Sequence, residues 1–130
     1  MGLPMYEEIM DDEIILNCIV KESPGTIFQV SINEKKSIYK LKKEIKKELS
    51  DEFQNIDPIG IKLWSVQLCQ NDSRLTQLRN YSASEVDNLG KEAQYSTLEV
   101  REYFNTKVRD NIHVIVQGRR ISLQQLMNSE

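Results

Sequence analysis

An α+β domain, in which one amphipathic helix lies across a β-sheet, is the fold class this sequence predicts. Three observations lead there. Dense β-branched runs stand near the start (Ile14 to Val20) and near the end (Ile112 to Val116) of the chain. Between them a period-2 segment, with Phe28, Val30 and Ile32 on one face and Gln29 and Ser31 on the other, reads as a half-buried strand. Directly afterwards the apolar spacing changes to three and four residues at Ile38, Leu41, Ile45 and Leu49, which is helical. The chain has 130 residues, 39% of them hydrophobic and 28% charged, which suits one soluble domain with a single core.

The elements follow in order. Residues 1–12 mix Met, Gly, Pro and acids without a period and are expected to form a loosely held leader. The domain proper is expected over 13–117. Its first strand, around 14–20, is bounded by Ser23-Pro24-Gly25, a turn signal, and Thr26–Ile32 returns beside it as a hairpin. Ser37 is placed to cap a helix over about 37–49. Asp57-Pro58-Ile59-Gly60 then breaks the chain before a third strand, Ile61–Val66. From about 67 to 96 apolar residues are sparse, and the segment reads as an insertion carrying a short helical turn. Leu98, Tyr103 and Phe104 anchor a further short helical turn, and Asn111–Gln117 is the last strand, apolar enough for a central place. Residues 118–130 are expected to be a tail or linker.

Several chemistries are disfavoured. Seventeen Lys+Arg against twenty Asp+Glu give a net charge of −3, so no whole-domain positive field exists for a nucleic-acid backbone. Cys18 and Cys69 are too few and too far apart for a disulfide framework or a zinc site, and no metal or cofactor is expected. No Gly-rich phosphate loop occurs. His113, the only histidine, reads as a half-exposed sheet residue, and Cys18 as a small core hydrophobe. The acidic pairs Asp11-Asp12 and Asp51-Glu52 read as solvated. No bilayer-spanning run and no basic, apolar signal peptide is visible, so for an exported protein the address is expected to be missing or removed. An enzyme is therefore not expected.

A hairpin, one helix, a strand, a short helical segment and a final apolar strand give the order of a ubiquitin-like β-grasp roll, with a long insertion between the third and last strands. In that roll the first and last strands pair in parallel at the sheet centre. Thr97 to Val116 resembles the end of ubiquitin in pattern, although the chain runs on through Arg119 and Arg120 without a Gly-Gly tail and is not expected to be a processed modifier. Over about 13–117 the chain further resembles the N-terminal ubiquitin-like domain of Crinkler effectors. Ile61, Leu63 and Trp64 fill the first, third and fourth places of that family's Leu-x-Leu-Phe-Leu-Ala-Lys motif, and His113, Val114, Ile115 and Val116 begin its closing His-Val-Leu-Val-Val-Val-Pro motif. Ser65, Val66 and Gln67, then Gln117 and Gly118, depart from the two patterns, as in a divergent fungal-type member. The resemblance implies a non-catalytic N-terminal module of a secreted effector. Such a module is associated with delivery into a host cell, ahead of a variable C-terminal domain that often acts in the nucleus. This chain would then be that N-terminal module alone.

Two surfaces compete as the working site. Strand alternation sends Trp64, Val66, His113 and Ile115 together to the sheet face away from the helix, where an indole among aliphatic neighbours would anchor a protein partner. The sequence equally allows the 67–96 insertion to fold over that face and bury Trp64 with its leucines. The second surface is basic: Lys40, Lys42, Lys43, Lys46 and Lys47 crowd the helix, after Lys35 and Lys36. Such a face suits an acidic partner or anionic lipid, or is simply the solvated side of the helix. It would serve the alternative reading, a ubiquitin-like adaptor domain of an intracellular signalling protein. Self-association through an uncovered sheet edge is a further expectation.

Overall fold

The computed structural model describes residues 12–49, 53 and 56–118. The expected leader and tail therefore lie outside the described residues, apart from Asp12 and Gly118. Strand β1 (Glu13–Val20) and strand β2 (Ser23–Asn33) form the expected antiparallel hairpin, in register from Glu13↔Asn33 to Ile19↔Ile27. The turn is Lys21-Glu22 rather than Ser23-Pro24-Gly25, because the register slips to Val20↔Ser23 and takes those three residues into β2. A proline is tolerated there because β2 is an edge strand.

Helix α1 (Ile38–Glu48) is capped as its sequence predicts, with the Ser37 hydroxyl accepting from the Lys40 backbone N–H at 3.1 Å. Two first-turn N–H groups, those of Ile38 and Tyr39, donate to the carbonyls of Leu98 and Ser96. The chain after residue 95 is thereby tied to the helix start, and it continues into a one-turn 3-10 helix, Val100–Glu102.

Strand β3 (Ile61–Leu68), strand β4 (Gly90–Glu92) and strand β5 (Ile112–Gly118) complete a five-stranded sheet in the order β2-β1-β5-β3-β4. Strands β1 and β5 run parallel, through Cys18↔Val114, Ile19↔Ile115 and Val20↔Val116, while β3 is antiparallel to both β5 and β4. This is a mixed α+β architecture compatible with a β-grasp fold.

The sheet is buried on both faces, which divides the core in two. Ile38, Leu41 and Ile45 of α1 pack with Leu16, Cys18, Val30, Leu63, Val114 and Val116 on one side. On the other side Ile19, Trp64, Val66, Leu68, Ile112 and Ile115 meet Leu75, Leu78 and Val86. The last three belong to the insertion, which is more ordered than its sparse apolar content suggests. It holds a 3-10 helix (Ser73–Asn80), helix α2 (Ala83–Asp87) and β4. Asp72 caps the first by accepting from the Arg74 N–H, and Ser82 with Glu85 forms a reciprocal capping box on the second. Gly90 lets β4 close on β3, since a Cβ there would collide with the Ser65 carbonyl.

Candidate functional site: a covered sheet face and a lysine-bearing helix

Both sequence motifs land in the middle of the sheet, on adjacent strands. Leu63 pairs with Val116 and Trp64 with Ile115, so the two halves of the resemblance meet across one antiparallel ladder. Ile61, Leu63, Val114 and Val116 serve the helix-side core. Trp64 and Ile115 serve the opposite one.

The expected exposed patch does not exist as a surface. Trp64 and Ile115 are 0% exposed, His113 1% and Val66 2%. The insertion lies over Trp64, Val66 and Ile115, which is the second of the two readings the sequence allowed, while His113 is enclosed by the 108–111 loop. Trp64 is fixed chemically as well as sterically, because its indole Nε1–H donates to Asp87 Oδ1 at 2.8 Å. Placing the polar edge of the ring against α2 leaves no buried donor unmet. Simple strand alternation also breaks at the start of β5. The register shifts between Ser65 and Leu68, so Ile112 turns to the insertion side rather than following Val114 and Val116.

His113 is not a half-exposed sheet residue but part of a buried polar clamp. Its Nδ1 accepts from the Asn17 backbone N–H at 3.0 Å, which makes the ring neutral with its proton on Nε2, and Nε2–H donates to the Val108 carbonyl at 2.9 Å. The Asn17 side chain donates to the carbonyls of Arg109 and Asn111 at 2.7 and 2.8 Å, and its Oδ1 accepts from Gln29 Nε2 at 2.9 Å. Both ring nitrogens are engaged in holding the 108–111 loop against β1. Sequence spacing does not reveal Asn17, which reads as a polar break in an apolar strand.

The helix lysines separate into two groups. Lys42 is 6% exposed and lies on the core side, its spacing from Ile38 and Ile45 placing it on the buried stripe. Its stem packs inward while its ammonium reaches Ser96 Oγ at 3.4 Å. Desolvation holds this amine below its ordinary value, with the charge of Glu92 acting against that shift. Lys42 is thus no member of an outward basic face. Lys40 and Lys47 share Glu44 at 3.2 and 3.7 Å, and the Lys43 ammonium lies 5.6 Å from the Tyr39 ring centre. Lys46 is partly exposed on the same helix.

Cys18 matches its sequence reading. Burial drives the Cys18 thiol far above its ordinary value, so it packs as a hydrophobe, and Cys69 is exposed and free. An open groove beside β4, lined among others by Lys91, Glu92, Tyr95, Glu102 and Tyr103, was not anticipated. Its residues come in short runs from the insertion and the segment leading to β5. Among the described residues no group of three or more His, Cys, Asp or Glu is placed to hold a metal ion, and no helix is long and apolar enough to cross a membrane.

Residues 14–117 match the family model of the Crinkler effector protein N-terminal domain. The chain belongs to the Crinkler effector N-terminal domain family. It is also 32% identical over 106 residues to Crinkler effector protein 1 of Rhizophagus irregularis, a match covering 80% of this chain and 21% of that protein. The chain thus spans about a fifth of the curated Crinkler relative it matches. The matched region runs from β1 to the end of β5, so it takes in the insertion that covers Trp64 as well as the sheet and helix.

Proposed function

We propose that this domain is a non-catalytic, ubiquitin-like N-terminal module of a Crinkler-type secreted effector, acting in host-directed delivery and protein–protein contact. The observation that carries the reading is the family match over 14–117, set beside a relative about five times the length of the matched part. Such a ratio suits a module placed ahead of a separate working domain. The ubiquitin-like description rests on β1 and β5 pairing in parallel inside the sheet with α1 across one face. The groups most suited to chemistry already have structural tasks. His113 spends both nitrogens on backbone, Cys18 is buried as a hydrophobe, and Trp64 is seated on Asp87.

With the Trp64 face covered, partner contact falls to the perimeter, where the outward lysines of α1 (Lys40, Lys43, Lys46 and Lys47) offer charge. The test is a reporter fused behind residues 1–130 and produced in the effector's own cell, with host-cell entry scored for the intact fusion and for one lacking 14–117. Entry only with the domain present supports the reading. Equal entry without it refutes delivery as the domain's role.

A further inference from the structure

Among the described residues, the outer edge of β2 is long, uncharged and paired with no other strand. β2 is the first strand of the sheet and pairs only with β1, and Ser23–Asn33 contains no charged residue. Edge strands are usually blunted by charge, shortness or a covering loop. The opposite edge obeys that rule, since β4 is only three residues long and carries Lys91 and Glu92.

The direction of the free backbone groups can be read from the ladder. Glu34 N–H donates to the Asp12 carbonyl at 2.8 Å, in the same register that sets Glu13 against Asn33. Antiparallel ladders alternate between pairs that exchange backbone bonds and pairs that do not. Ile32, Val30 and Phe28 therefore point their backbone groups at β1, while Ile27, Gln29 and Ser31 point theirs outward. Beside this edge stand two isoleucines exposed on the insertion-side face, Ile27 at 44% and, across from Ser31, Ile15 at 56%.

We propose that this edge takes a second copy of the same chain, β2 against β2 in antiparallel register, with the two-fold axis at Gln29. Among the outward-facing residues only Gln29 gives matched rows. Centring on Ser31 would set Phe28 against Glu34, and centring on Ile27 would set Val30 against Pro24. Centring on Gln29 sets Phe28 against Val30, Thr26 against Ile32 and Ile27 against Ser31, so that Ile27 of one copy and Ile15 of the other flank that serine on one face. Beyond the strand ends, this register brings the turn carrying Glu22 to the same end of the pair as the turn carrying Lys36 of the second copy, charges of opposite sign. Lys35 is already held by Asp12 at 3.3 Å, whereas Lys36 is in no ion pair among the described residues. Such pairing is isologous and leaves only the short β4 edges free, so assembly stops at two.

The inference extends the reading of the domain as a contact module. Its test needs only the purified chain, so its failure would leave the delivery experiment undecided and its success would not settle that experiment. Sedimentation equilibrium from about 10 µM to about 1 mM covers weak association, and the mean mass is expected to rise toward twice the monomer. Ser31→Pro removes an outward N–H and no backbone bond to β1, costing only the exposed hydroxyl bond to Glu13 at 3.1 Å, and should leave the monomer folded by circular dichroism while abolishing the rise. Ile27→Lys is a second edge variant with the same expectation. In a Cys69→Ser background, Gln29→Cys should oxidise to a disulfide dimer. Ser23→Cys should not, since its two copies would lie roughly 40 Å apart. A native chain monomeric throughout, association undiminished in folded edge variants, or equal crosslinking at 23 and 29 would overturn the proposal.

Discussion

Replacing Trp64 with alanine deletes the largest fully buried side chain of the domain. The indole beyond its Cβ accounts for about 200 Å² of buried surface, and at about 25 cal/mol per Å² its transfer is worth about 5 kcal/mol as an upper bound. Measured truncations of buried aromatics fall at about 3–5 kcal/mol, the cavity included. Loss of the bond to Asp87 strips a charged acceptor of its donor and adds about 1 kcal/mol. The expected cost is therefore about 4–6 kcal/mol, a large share of the roughly 5–15 kcal/mol that holds a domain folded. Guanidinium titration followed by far-ultraviolet circular dichroism measures it without needing the indole as reporter. Trp64→Phe, alone and combined with Asp87→Ala, then isolates the hydrogen bond, with a coupling of about 1–2 kcal/mol expected. A cost below about 1 kcal/mol for Trp64→Ala would refute the packing argument and return the indole to the surface.

Gly90→Ala should destabilise the domain by about 1–3 kcal/mol, because the new methyl meets the Ser65 carbonyl, a backbone atom that cannot swing aside; thermal melts and amide exchange across β4 check this. Lys42→Met should leave stability within about 1 kcal/mol of the parent or raise it, since burial already disfavours the charged amine, and denaturant midpoints decide. The insertion should loosen in acid. Hydrogen bonds from the Arg74 side chain and backbone hold the Asp72 carboxyl down at about 2, and the Ser82 N–H lowers that of Glu85. Both acids are stronger in the fold than in the unfolded chain, so the stability they supply is present above their ordinary values, 3.8 and 4.5, and is lost as pH falls from there toward 2. Glu22, lifted by burial, acts in the opposite sense and at higher pH. A red shift of Trp64 emission below about pH 4 is expected, and an Asp72→Asn chain should show less of that dependence.

The sheet and helix were legible because their patterns are local. Alternation in Phe28–Ile32, the three- and four-residue spacing of α1 and the hydroxyl of Ser37 each specify an element within a dozen residues. The insertion was not, because Leu75, Leu78 and Val86 form no period among themselves. Their partners are Trp64 and Ile115 on strands far away in sequence. A signal was nevertheless present: β3 carries Ile61 and Leu63 on one face and Trp64, Val66 and Leu68 on the other, and a strand apolar on both faces needs cover on both. Lys42 misled for the same reason, since charge suggested solvent while its spacing placed it on the buried stripe. The role of His113 lay in Asn17, 96 residues earlier, and no local pattern links the two.

The parallel pairing of β1 with β5 also fixes how the domain answers to force. The described chain enters at the start of β1 and leaves at the end of β5, and because the two strands run in the same direction those points lie at opposite ends of the pair. Tension applied through the termini therefore loads the backbone bonds between them in shear, all at once, instead of peeling them apart one by one. Threading this domain through a narrow pore from either end loads that central ladder in the same way, together with the neighbouring ladder of the strand that is pulled.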